Sequence, residues 1–210
     1  MNKGVNMIID IRDVFIYSDD FFFDLESNLR YEYKDFLEEI DAVTAPVAMY
    51  QSSFIHDRLM ASSIIRGQRS NIKQSIMLLP YIHMKDRIRE IRFVSIRMKY
   101  DNMVFANMIA GVSNRENPIV LVTDLGSEVE YLLCYRNEIQ ISEYHDTFSE
   151  GHLDEFTKRS QEKFEDKLTT ICVADQMLSS KFDEHLTYKE ICDLVKDMTN
   201  EKEGSYEEKL

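Results

Sequence analysis

The stretch Pro118-Ile-Val-Leu-Val-Thr-Asp-Leu-Gly-Ser-Glu128 decides how the chain is read. Ile119 to Thr123 is a short, β-branched, apolar run of the kind that forms a strand buried on both faces. Pro118 stands just before it, where a missing N–H costs least. Asp124 and Gly126 then supply turn chemistry, because aspartate bonds to its own backbone and glycine accepts positive φ. The next residues, Val129 to Tyr135, read as a short helix.

Working outward, Met7 to Ile11 reads as a strand that ends near Asp10. Leu25, Leu29, Tyr33, Phe36, Leu37 and Ile40 recur at helical spacing. Val43 to Tyr50 is a weaker strand broken by Pro46, and Phe54 to Leu79 is a long helical candidate. Ile91 to Met98 suits a strand, Asp101 can cap a helix running through DNMVFANMIAGV, and EIQIS is a strand. Strand and helix alternate along this region, which predicts an α/β fold with a mainly parallel sheet flanked by helices. No internal repeat accompanies the pattern.

After residue 148 the pattern turns wholly helical. Leu153, Phe156, Phe164, Leu168 and Ile171 make one apolar stripe. Thr187 and Glu190 have capping-box spacing ahead of Ile191, Leu194, Val195 and Met198. The expected organisation is an α/β domain over 1–148, a helical appendage packed on it over 149–200, and a disordered acidic tail over 201–210.

The chain has 210 residues, 44% of them hydrophobic, enough for one sizeable core. No run reaches the length of a membrane span. Arg12 and Asp13 come too early for a signal peptide. Cys134, Cys172 and Cys192 are widely spaced within apolar surroundings and read as reduced core thiols. These features together predict a cytoplasmic protein in a reducing setting, with no membrane partner.

The formal charge is -13, yet Arg58 to Lys99 holds ten basic residues against Asp86 and Glu90, a local excess of +8. Such asymmetry points to a polyanion or acidic partner, or to neutralisation inside the fold. Isolated Gly67 and Gly126 exclude a glycine-rich phosphate loop, and no nucleophile elbow surrounds Ser127.

In a wound sheet, ligands bind outside the carboxyl ends of the strands. Asp10, with Asp13 nearby, Asp101 and Asp124 are expected at such ends, where converging carboxylates would hold Mg²⁺ or Mn²⁺. Two such ions about 4 Å apart serve phosphodiester hydrolysis. Arg58, Arg66, Arg69 and Lys73 would contact a nucleic-acid backbone.

The order of MIIDIRD, HDRLMASSIIRGQRSNIK, KYDNMVFANMIAG and IVLVTDLGSEVEYLL resembles the PIN and flap-endonuclease-like nuclease scaffold over roughly the first 145 residues. That resemblance implies a metal-dependent, nucleic-acid-handling domain, either active or a non-cleaving relative, with Asp10, Asp101 and Asp124 as its catalytic ligands. The alternative is a non-enzymatic acidic interaction protein, such as a phage accessory factor, inhibitor or immunity-type protein, engaging a basic nucleic-acid-binding partner.

Overall fold

The computed structural model describes residues 10–18, 20–25, 28–32, 73–86, 103–164 and 166–204. The first half contains strands β1 (Asp10–Tyr17), β2 (Phe21–Asp24), β3 (Leu29–Glu32), β4 (Lys73–Leu78) and β5 (Met103–Ala106). Helix α1 (Tyr81–Asp86) follows β4, and a 3-10 helix (Met108–Val112) follows β5. In the second half come β6 (Ile119–Asp124), β7 (Val129–Tyr135) and β8 (Glu138–His145), then α2 (Glu150–Gln161), β9 (Thr169–Val173), β10 (Glu184–Leu186) and α3 (Tyr188–Gly204).

The strands form two five-stranded sheets, ordered β3-β2-β1-β4-β5 and β10-β9-β6-β7-β8. Each follows the same path. A three-strand antiparallel meander comes first, and two further strands then add in parallel on the free side of its first strand. The halves therefore repeat a topology that has no counterpart as a sequence repeat. The class is α/β as expected, but the sheets are mixed, not mainly parallel.

Local chemistry explains the meanders. Between β7 and β8 the loop is Arg136-Asn137, with φ of 50° and 66°. Two consecutive positive φ values make the hairpin turn whose twist matches the strands it joins. Between β2 and β3, Asn28 takes φ 54°, a conformation asparagine tolerates better than most residues.

A central core lies between the sheets. It draws Val14, Ile16 and Phe21 from the first, Leu121, Leu132 and Ile171 from the second, and Ile191, Cys192 and Val195 from α3. Gly111 lets the 3-10 helix approach that helix closely: a Cβ there would lie 2.7 Å from Ile191 Cδ1 and 3.0 Å from its carbonyl oxygen. On the other side of the second sheet, Val120, Val122, Tyr131 and Cys172 pack with Leu153 and Phe156 of α2. Alternate residues of β6 thus serve two cores, which is why its run is apolar throughout.

Several local expectations need correction. Val129 to Tyr135 is strand β7, not a helix, because both of its faces are covered and no polar stripe is needed. The end of the proposed Phe54–Leu79 helix is β4, the Leu25–Ile40 helix gives way to a turn and β3 in its described part, and DNMVFANMIAGV divides into β5 and the 3-10 helix in its described part. The segment 149–200 is no helical appendage. Its Thr169–Val173 run is β9, which lies inside the second sheet between β6 and β10, and it is β-branched as a strand favours. Helix α3 runs through Gly204, four residues into the proposed tail. The Val43–Tyr50 and Ile91–Met98 strands lie outside the described residues.

Candidate functional site

The shared path places equivalent turns at the carboxyl ends of β1 and β6, and these two turns meet. In the first, Ser18 is buried, and its hydroxyl oxygen accepts the N–H groups of Asp20 (3.2 Å) and Phe21 (3.0 Å). The backbone closes beneath it, with Ser18 N–H donating to the Phe21 carbonyl at 3.0 Å.

In the second turn, Asp124 Oδ1 accepts the Gly126 N–H at 2.9 Å, and Leu125 N–H donates to the Glu128 carbonyl at 2.8 Å. Gly126 has φ 101°, a conformation that strains any side-chain-bearing residue. The Ser127 N–H points at the first turn and donates to Asp20 Oδ2 at 2.5 Å. A Cβ on Gly126 would stand 2.7 Å from that same oxygen. Glycine is thus required twice, by its backbone angle and by the closeness of Asp20.

Helix α3 is anchored to the second turn. Thr187 and Glu190 form the capping box, with Thr187 N–H donating to Glu190 Oε2 (2.7 Å) and Glu190 N–H to Thr187 Oγ1 (3.3 Å). The first residue of the helix, Tyr188, donates its hydroxyl to the Asp124 carbonyl at 2.7 Å. Burial pushes that phenol far above its ordinary pKa, so it remains a donor. Its ring packs on Phe21 and Phe23 at 5.1 and 5.9 Å.

Arg30 of β3 closes the side of this assembly. Its guanidinium sits 3.9 Å from the centroid of Phe21, and Nη1 reaches Asp175 Oδ2, beyond β9, at 3.0 Å. It also lies 5.5 Å from the centroid of Tyr188, so the arginine joins the halves by charge as well as by cation–π contact.

A second crossing point lies deeper. Glu130 stands opposite Thr123 in the β6–β7 ladder and is fully buried. Its Oε1 accepts the Tyr81 N–H at 2.5 Å and the Tyr144 hydroxyl at 2.7 Å, while that hydroxyl accepts the Ile82 N–H at 2.7 Å. Burial raises the Glu130 pKa to about 7, and the hydrogen bonds from Tyr144 and Tyr81 oppose the shift only in part.

The sequence-derived site residues are dispersed. Asp10 opens β1 instead of ending the first strand, because β1 continues through the buried Val-Phe-Ile-Tyr run to Tyr17. It pairs with Lys73 at the start of β4, and Asp13 pairs with Ser75. At about 3.3 Å per residue, β1 carries Asp10 roughly 23 Å from the turn that approaches Asp124. Only Asp124 lies at the carboxyl end of a described strand. Asp101, Arg58, Arg66 and Arg69 lie outside the described residues, as does most of the basic band. Among the described residues, no group of three or more His, Cys, Asp or Glu is arranged to hold a metal ion, and no helix is long and apolar enough to cross a membrane.

Asp20, Ser127, Arg30, Glu130 and Tyr188 were not foreseen as site residues. Ser18-Asp19-Asp20 between the apolar runs VFIY and FFF is nevertheless a hairpin signal. Glu130 could have been noticed as a lone acid inside an apolar run.

No protein-family model matches the sequence, and no curated protein matches it. Among solved structures, the fold is similar to a Bacteroides thetaiotaomicron protein of actin-like ATPase fold and unknown function, with 7% identity, coverage of 86% of this chain and 87% of that one, and TM-score 0.43. It is also similar to the AlfA filament bound to AMPPNP (8% identity, 90% and 86% covered, TM-score 0.46) and to an exopolyphosphatase from Cytophaga hutchinsonii (10%, 77% and 66%, TM-score 0.42). The PIN and flap-endonuclease-like resemblance is thus corrected. One of the similar structures is described as having an actin-like ATPase fold, and two antiparallel meanders occupy the place of the expected mainly parallel sheet. The nuclease function that rested on that scaffold falls with it, and nothing in these findings favours the acidic interaction protein proposed beside it.

Proposed function

We propose that this chain binds a nucleoside polyphosphate, with Mg²⁺, between its two halves, the phosphates lying at the paired turns. The observation that carries this reading is the meeting of the turns after β1 and β6, where the Ser127 N–H already holds an anionic oxygen at 2.5 Å. Outward-pointing backbone N–H groups at a glycine-containing turn are the usual means by which a protein cradles phosphate without a cationic side chain. Their place at the carboxyl ends of strands, between two sheets, is where α/β proteins receive ligands.

The donor set suits the ion. Mg²⁺ prefers hard oxygens and is commonly held by one or two carboxylates together with substrate phosphates and water. Asp124 would hold it, and the bound ion would neutralise phosphate charge beside an acidic turn. Gly126 and Ser127 orient the phosphate, and Tyr188 fixes the Asp124 carbonyl. The proposal stops at binding. Glu130, with its pKa near neutrality, is sealed beneath Tyr81 and Tyr144 and has no path to a ligand at the turns. Three buried free cysteines accord with a reducing, cytoplasmic setting.

Thermal melting and calorimetric titration with ATP and ADP, each with and without Mg²⁺, test the reading. A ligand at a hundred times its Kd adds about 2.7 kcal/mol. For a chain of this size that raises Tm by roughly 5–10 °C. Asp124→Asn should lose the Mg²⁺-dependent part of the shift. Absence of any shift or heat with millimolar nucleotide and Mg²⁺ would overturn the proposal.

A further inference from the structure

The anion held by the second turn belongs to the protein itself. Asp20 reaches across from the first turn, and one of its carboxylate oxygens accepts the Ser127 N–H directly above Gly126. A bond from a backbone N–H to an ionised carboxylate is stronger than its neutral counterpart. The ordering of Asp20 is met in advance by Ser18, whose hydroxyl oxygen accepts the Asp20 N–H.

We propose that Asp20 is a tethered competitor for the phosphate position, so that the structure described is the self-occluded state of the site. This rests on the nucleotide reading above and adds how that site is regulated. A phosphate oxygen cannot accept the Ser127 N–H while Asp20 does, because a Cβ-sized probe at Gly126 already meets the Asp20 Oδ2 and Cβ at 2.7 and 2.8 Å. Before the carboxylate leaves, an incoming phosphate also meets like charge from both Asp20 and Asp124. After it leaves, the Ser127 N–H is free to receive the ligand. Because the competitor is attached to the chain, its local concentration is set by the short turn and not by dilution. The first half thus gates the second, and affinity is set by the difference between two anions at one N–H.

The test is calorimetric titration of the full chain and its Asp20→Ala and Asp20→Asn variants with ADP and ATP in the presence of Mg²⁺. Circular dichroism melts verify that each variant is folded. Asp20→Ala should bind about tenfold tighter or more, with Asp20→Asn between it and the natural chain. In the nucleotide-free protein, Asp20→Ala should also speed amide exchange at Ser127. Should Asp20→Ala fail to fold, Asp20→Asn decides the matter by the same direction of change. Equal affinity in all three proteins overturns the competitor role and leaves nucleotide binding standing. Weaker binding by both variants also overturns it, making Asp20 a contact of the ligand or its ion. No binding by any of the three overturns both proposals together.

Discussion

Two carboxylates cross between the halves in opposite directions. Asp20 goes from the first half to the Ser127 N–H of the second, and Glu130 goes from the second to the Tyr81 N–H of the first, each at 2.5 Å. The bonds are alike in length and unlike in surroundings. The Asp20–Ser127 contact is open to solvent, so water can replace either partner. Glu130 is fully buried, and water cannot replace what it holds. Exposure and not distance therefore decides which crossing is a structural lock and which can open for a ligand.

The largest effect should come from Glu130, and it should appear as pH dependence. Its folded pKa is about 7 against an ordinary 4.5, so the native state retains the proton over a range in which the unfolded chain has lost it. The native advantage is complete below about pH 4.5, declines as pH rises, and is gone above the folded pKa. The decline is worth about 3 kcal/mol across the window, at about 1.4 kcal/mol per pKa unit. Urea unfolding at a series of pH values should show that slope, and Glu130→Gln should flatten it. A slope that survives unchanged in Glu130→Gln would remove the contrast between the two crossings.

Gly126→Ala should come next. The substitution meets positive φ and Asp20 together, and it should lower stability by about 1–3 kcal/mol in denaturant unfolding. The double variant with Asp20→Ala should recover the part due to collision and leave the part due to φ. Full additivity would mean that the turns do not press on one another. The smallest effect belongs to Thr187→Ala, which removes the helix cap that seats Tyr188 on the second turn. Its cost should be about 1 kcal/mol, read as a lower urea midpoint with unchanged slope.

These crossings also separate what local sequence conveys from what it does not. Strand β6 was legible from a β-branched run bounded by Pro118 and the Asp124–Gly126 turn, and strand β8, helix α2 in part and the Thr187–Glu190 cap from periodicity or from side chains three residues apart. Strand β7 was misread because a short apolar run buried on both faces has no distinguishing period. The stripe drawn through Leu168 and Ile171 joined the end of a helical region to a strand that sits in the sheet, and so concealed the second half of the fold. Asp124 was recognised at its strand end from turn chemistry alone. Its neighbour Asp20 lies 107 positions from Ser127, and no short-range pattern reports such a meeting. The duplicated path was invisible for the same reason. It resides in strand order and direction, which widely different residues satisfy equally well.

Tyr188 gives the second turn mechanical reach. Its hydroxyl grips the Asp124 carbonyl at the first residue of a 17-residue helix, which at 1.5 Å per residue extends about 25 Å. Tyr188 is thus the pivot through which a displacement of the turn would reach the helix. A tilt of about five degrees at the pivot sweeps its far end, near Gly204, through roughly 2 Å along that length. A displacement of the turn would thereby be magnified at the far end of the helix.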